Sequence, residues 1–251
     1  MIEPFTVIII SLTFLLAGSV KGVIGLGLPT VSLGLLAATF DLTTAMALLL
    51  IPSFITNIWQ ATVGGNAKII LKRIWPFLWL ATMTIWIGST ALKTINSLYL
   101  TILLGALLLV YASINLLGVG LSIAPRNEKW AGPLLGTANG IFTGMTGSFV
   151  VPGVMYLQAI GLPREMLIQA MGMLFSLSTI GLAIALQKHT LLTLEVASIS
   201  ALAVIPSLIG MMLGQKIRTS LSEDKFKKLF FVSILILGFF IIGKSGIALA
   251  F

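Results

Sequence analysis

The sequence predicts an all-α integral membrane protein of two inverted-topology repeats, each a broken or re-entrant helix hairpin plus three transmembrane helices. Three observations lead there. The chain is 58% hydrophobic and 9% charged, with a mean hydropathy of +1.12, outside the range of soluble domains. Apolar stretches long enough to cross a bilayer recur along its 251 residues. A glycine-punctuated apolar segment occurs twice, as GSVKGVIGLGLPTVSLG from Gly18 and as GTANGIFTGMTGSFVVPG from Gly136.

The first element starts at MIEPFTVIII, which has no basic n-region and carries only Glu3 as an early charge, so a retained span is expected and not a cleaved leader. Residues 4–40 and 131–160 are each too long for one crossing at about 1.5 Å per residue and are interrupted by Gly and Pro. Each is either one bent span or a hairpin. Six simpler spans are expected over residues 45–63, 74–92, 98–119, 166–186, 191–213 and 229–251, with Pro52 and Pro206 kinking theirs.

Positive charge separates the two topologies. Single crossings would divide 14 Lys and Arg residues seven against seven, leaving out Lys21 at the hairpin tip. Hairpins instead gather Lys68, Lys72, Arg73, Arg126, Lys129, Arg164, Lys216, Arg218, Lys225, Lys227 and Lys228 on one side, opposed only by Lys93, Lys188 and Lys244. The positive-inside rule makes that basic side cytoplasmic and puts both termini in the periplasm. Trp75 and Trp130 fit interfacial anchors on the basic face.

The repeat aligns at offsets of 118 and then 120 residues. Gly18, Lys21 and Gly22 match Gly136, Asn139 and Gly140, and Gly27, Ser32 and Leu42 match Gly147, Pro152 and Leu162. Further on, Ile87-Gly88 resembles Ile209-Gly210. The expected organisation is an N-terminal transmembrane repeat over residues 1–120, a cytoplasmic linker over 121–130 and a C-terminal repeat over 131–251.

The series Gly132, Gly136, Gly140, Gly144, with Gly18 and Gly22 as its shorter counterpart, is either a close-packing zipper or part of a ligand cradle. Glycines clustered in IGLGLP and TGMTGS disfavour helix and expose backbone N–H groups, which with half-helix N-termini bind anions. Lys21 is an interface residue if its hairpin crosses fully, and an ammonium needing a counter-ion at membrane depth if it is re-entrant. Asn139 would be its neutral mirror. The candidate substrate-binding residues are therefore Lys21, Gly22, Gly25, Gly27, Asn139, Gly140, Thr143, Gly147 and Ser148. Asn57, Gln60, Asn115, Gln158 and Gln169 are read as interhelical hydrogen-bonding groups. Glu195 either snorkels at the outer end of its span or couples a proton. Cysteine is absent and His189 is the sole histidine, a connector residue, so neither a metal cluster nor a catalytic triad can be assembled.

The stretches KGVIGLGLPTVSLGLLA, FDLTTAMALLLIPSFITNIWQ and NGIFTGMTGSFVVPGVMYLQAIGLPREMLIQA resemble the TauE/SafE family of bacterial sulfite exporter-like permeases, in both halves of the chain. The resemblance implies a bacterial inner-membrane carrier of small anions, often sulfur oxyanions or organosulfonates such as sulfite or sulfoacetate. The expected function is a secondary transporter of small organic or inorganic anions, working by alternating access around a midplane site between the two glycine-rich hairpins. An anion channel is the first alternative and a membrane-embedded enzyme the second. Expected partners are the anionic substrate, the lipid bilayer, a coupling proton or sodium ion and a second copy of the chain. No cofactor and no nucleic acid is expected, because the basic residues sit in short connectors between apolar spans.

Overall fold

A computed structural model describes residues 4–218 and 222–250, without the side chains of Pro4 and Glu223. Glu3 and Phe251, the last residue of the final expected span, lie outside the described residues. The first half contains α1 (Pro4–Ile24), α2 (Leu28–Thr39), α3 (Leu42–Thr62), α4 (Ala67–Met83), α5 (Ile85–Ser89), α6 (Ala91–Thr94) and α7 (Ser97–Leu116). A 3-10 turn at Pro125–Asn127 leads into α8 (Glu128–Thr146), α9 (Gly153–Ala159), α10 (Arg164–Lys188), α11 (Leu194–Leu202), α12 (Val204–Arg218) and α13 (Glu223–Ala250). Seven helical stretches among the described residues are long and apolar enough to cross a membrane, including Phe5–Ile24, Ala67–Thr94 and Leu194–Arg218.

Local chemistry explains the boundaries. Gly25 and Gly27 have φ of +79° and +108°, which side chains resist, so α1 stops and α2 restarts there. The 12 residues of α2 return only about 18 Å, so the first glycine segment is a full-length helix followed by a short one. Gly147, at φ +75°, ends α8, and the short α9 follows after an irregular stretch. Asp41 caps α3 by accepting from the Thr44 N–H at 2.9 Å, and Thr193 caps α11 by accepting from Val196 at 3.2 Å. The span expected from residue 191 therefore begins at Leu194. Pro206 has no N–H for the Leu202 carbonyl, and the helix breaks at Ala203 between α11 and α12. Pro52 likewise frees the Leu48 carbonyl, yet α3 continues, because Ser200 of α11 donates to that oxygen at 2.8 Å.

Two parallel helix pairs join the halves, backbone against backbone. A Cβ on Gly18 or Gly22 would lie 2.2 or 2.3 Å from the carbonyl oxygens of Ser207 or Met211 on α12, and Gly210 and Gly214 meet Leu15 and Ser19 reciprocally. The register advances in the same direction along both helices. In the second pair Gly136, Gly140 and Gly144 of α8 meet the carbonyls of Phe77, Ala81 and Ile85, while Gly88 meets Ile141. The glycine zipper thus packs helices closely, as small-residue spacing does in membranes.

Two antiparallel pairs complete the bundle. Along α3 and α10, Gln60 bonds the Ile168 carbonyl at 2.7 Å whereas Ser53 meets Thr179, so the register runs in opposite directions. Along α7 and α13, Gly105 lies against Gly238 and Ile242, and Tyr111 against Phe231. Basic connectors gather at one face, where Arg73 pairs with Glu128 at 2.7 Å and reaches the Ile160 carbonyl at 2.7 Å. At the opposite face His189 meets Ser89 at 3.1 Å, Lys188 lies 5.2 Å from the Trp86 ring centroid, and Lys244 donates to the Ala38 carbonyl.

Two outcomes follow from this packing. Gly88→Ala, whose Cβ would sit 2.0 Å from a backbone oxygen, should lower stability in detergent by about 1–3 kcal/mol, whereas Gly246→Ala, with nothing within 4 Å, should be neutral or slightly stabilising. Equal unfolding midpoints would show that the α5–α8 contact does not constrain the fold. Single cysteines placed at Lys72 and Lys93 in this cysteine-free chain should react with impermeant thiol reagents from opposite sides of the membrane. Labelling of both from one side would overturn the topology.

Candidate functional site

A buried polar chain crosses the bundle at α1, α3 and α10. Lys21 projects from the last turn of α1, and its ammonium donates to Thr56 Oγ1 at 3.2 Å and to Asn57 Oδ1. Asn57 Nδ2 donates to Ser53 Oγ at 3.0 Å, Ser53 meets Thr179 Oγ1 at 3.4 Å, and Thr179 donates to the Phe175 carbonyl at 2.6 Å. All five side chains are buried, Lys21 to 4% exposure. Among the described residues the ammonium is held by neutral oxygens and makes no ion pair. An unpaired charge at this depth is costly, and such groups in membrane proteins mark ligand or ion paths.

Lys21, Gly22 and Gly25 line a cleft of about 210 Å³ at the basic ends of α1, α3 and α12, together with Thr56, Trp59, Gln60, Gln215 and Arg218. Gly27 is not on its wall and faces Val20 and Phe230. Lys21 has three N–H donors, two of them engaged, which leaves one for a ligand.

The second set of expected residues forms a separate cluster around the break after α8. Asn139 Oδ1 accepts from the Gly153 N–H at 2.9 Å, at the start of α9. Thr143 Oγ1 donates to the Ser148 carbonyl at 2.9 Å, and the Gly147 N–H bonds the Thr143 carbonyl at 2.7 Å. Asn139, Thr143, Gly147 and Ser148 are thus brought together, with Asn139 Nδ2 buried and without a hydrogen-bond partner among the described residues. Gly140 lies apart, against Ala81 and Thr84. Among the described residues no hydrogen bond joins the Lys21 chain to this cluster. Glu195 is exposed in the first turn of α11, where a carboxylate complements the helix dipole.

Ser53, Thr56, Gln215 and Arg218 were not legible as site residues one at a time. A signal existed for α3: Ser53, Thr56, Asn57 and Gln60 follow i, i+3, i+4, i+7 spacing and form one polar face on an apolar helix. Gln60 and Gln169 do bridge helices, to the carbonyls of Ile168 and Ala61.

The hydrogen-bonded chain ends at the Phe175 carbonyl. Thr179 also borders an apolar groove on the outside of the α3–α10 pair, lined by Leu50, Ile51, Phe54, Ile180, Ala183 and Ile184, of which Ile180 and Ile184 are exposed. Residues 10–241 match the family model described as Sulfite exporter TauE/SafE. The chain belongs to the TauE/SafE sulfite exporter family. Comparison with curated proteins and with solved structures returned no match. In this TauE/SafE chain a buried lysine therefore sits on a helix long and apolar enough to cross a bilayer, at the wall of a cleft at the basic face.

At the face opposite the basic connectors His189, in the turn after α10, is half-buried and meets Ser89 at 3.1 Å. Burial, then Lys93 and Lys188, pushes its pKa below the ordinary 6.5. A depressed folded pKa means that its contribution to stability is present above 6.5 and is lost as pH falls through the folded value. Because His189 is the only histidine, its NMR signal in selectively labelled protein should titrate below 6.5, and Lys188→Met should move the midpoint upward. A midpoint at or above 6.5 in the unmodified chain would contradict this placement.

Proposed function

We propose that this TauE/SafE chain is a secondary carrier of small anions, sulfur-containing ones such as sulfite, sulfoacetate or another organosulfonate. The observation that carries the reading is Lys21: a cation buried to 4% exposure, held only by neutral oxygens among the described residues, at the wall of a cleft. Its spare N–H donor, the second amide N–H of Gln60 and the Gln215 amide suit an oxyanion, while the Thr56 hydroxyl, which donates to the Pro52 carbonyl at 2.9 Å, holds the ammonium in place.

Alternating access between two inverted repeats, residues 1–120 and 131–251 around the linker 121–130, is the motion we infer. The antiparallel α3–α10 and α7–α13 pairs and the parallel α1–α12 and α8–α4 pairs support it, since each pairing is what exchange of two oppositely oriented halves produces. In that reading Asn139, Thr143, Gly147 and Ser148 belong to the gate on the opposite face, and the conformation described is open on the basic side. A carrier is favoured over a channel because the apolar spans lack the continuous polar or basic lining a channel would need. We place the chain in a bacterial inner membrane with the basic face cytoplasmic and the termini periplasmic, driven by a proton or sodium gradient or by the substrate's own gradient. Glu195 is the carboxylate to test for coupling.

In proteoliposomes, Lys21→Met should lose the charged hydrogen bond to the anion, about 1.5–3 kcal/mol or some tenfold to 150-fold in apparent affinity. Transport of sulfite, sulfoacetate, taurine and sulfate would be compared with the unmodified chain. Unchanged uptake of whichever of them the unmodified protein moves would remove Lys21 from the anion's path.

A further inference from the structure

The cleft at Lys21 holds a second cation that the reading above does not use. Arg218 is the last residue of α12, and its exposed side chain lines the same cleft as Lys21, Gly22 and Gln215. The glycine contacts hold the two helices in this relation: a Cβ on Gly22 would lie 2.9 Å from both the Gln215 backbone N and the Gly214 Cα. No carboxylate lines the cleft, and Arg218 makes no ion pair or hydrogen bond among the described residues. We infer that the cleft selects dianions over monoanions, with Lys21 and Arg218 each facing one of the charges.

Attraction scales with the charge of the occupant, and in a cleft of about 210 Å³ both cations act on it together. Dehydrating a dianion costs more than dehydrating a monoanion, which would cancel the preference in a closed, dry pocket. Here Gln215 and Arg218 are exposed and Gly25 is half-buried, so the occupant keeps water on its basic side while Lys21 meets it from within. Arginine suits the outer position because its planar fork can bind two oxygens of one oxyanion at once. Neutralising Arg218 should therefore remove the discrimination between charges while leaving the Lys21 contact intact.

The inference rests on the cleft being the anion site, and its test separates the two. Sulfate and methanesulfonate share a tetrahedral sulfur but differ in charge, and their binding to purified protein is measured calorimetrically at neutral pH and fixed ionic strength. The unmodified chain should bind sulfate at least about tenfold more tightly. Arg218→Gln should bring the two within about twofold by weakening sulfate more than methanesulfonate, while Arg218→Lys keeps the preference. Lys21→Met should weaken both. A preference that survives Arg218→Gln, or a parent chain that binds the two equally, overturns the inference and leaves the anion site standing. Binding of both probes unaffected by Lys21→Met overturns the anion site itself, and the inference with it.

Discussion

Carbonyl oxygens of α12 rest on the glycines of α1, and those of α4 and α5 rest on the glycines of α8, closely enough that no Cβ fits between them. Within a bilayer apolar side chains gain little by leaving lipid for protein, so helices associate through close van der Waals contact, which small residues permit. Each contact joins an element of one half to an element of the other. The last turn of α1 is thereby fixed beside the last turn of α12, which brings Lys21 and Arg218 to one cleft. On the other side α8 is fixed against α4 and α5, leaving Asn139 and Thr143 to address the irregular stretch that follows it.

The second constraint is that polar groups in hydrocarbon must find partners inside the protein. The carbonyl freed by Pro52 is met by Ser200, the break after α8 is met by Asn139 and Thr143, and Gln60 and Gln169 tie α3 to α10. Lys21 differs in kind. Its neutral partners satisfy hydrogen bonds but leave its charge without a counter-charge among the described residues, which is why the proposed function assigns it an anion.

Much of the fold could be read from the chain because its signals are long or additive. Twenty-residue apolar runs, the one-sided basic connectors and the recurrence of Gly18 and Gly22 as Gly136 and Gly140 do not depend on any single contact. The interior of the glycine segments was less legible. Spacing alone does not separate a glycine that packs, such as Gly140 against Ala81, from one that turns the chain, such as Gly147 at φ +75°. The polar face of α3 was missed because Ser53 and Thr56 are unremarkable singly and gain meaning only from the lysine of another helix.

By itself, then, the sequence determined an all-helical membrane protein, the glycine-punctuated segments and the face on which positive charge collects, since hydropathy, helix breaking and charge asymmetry are local or summed properties. Tertiary structure alone decided which glycines press on a neighbouring backbone, that Lys21 meets Asn57 instead of a carboxylate, and that Arg218 shares its cleft. Those relations depend on helix register and on which face of one helix meets another across many residues of separation. Close packing sets that register only when both halves are assembled.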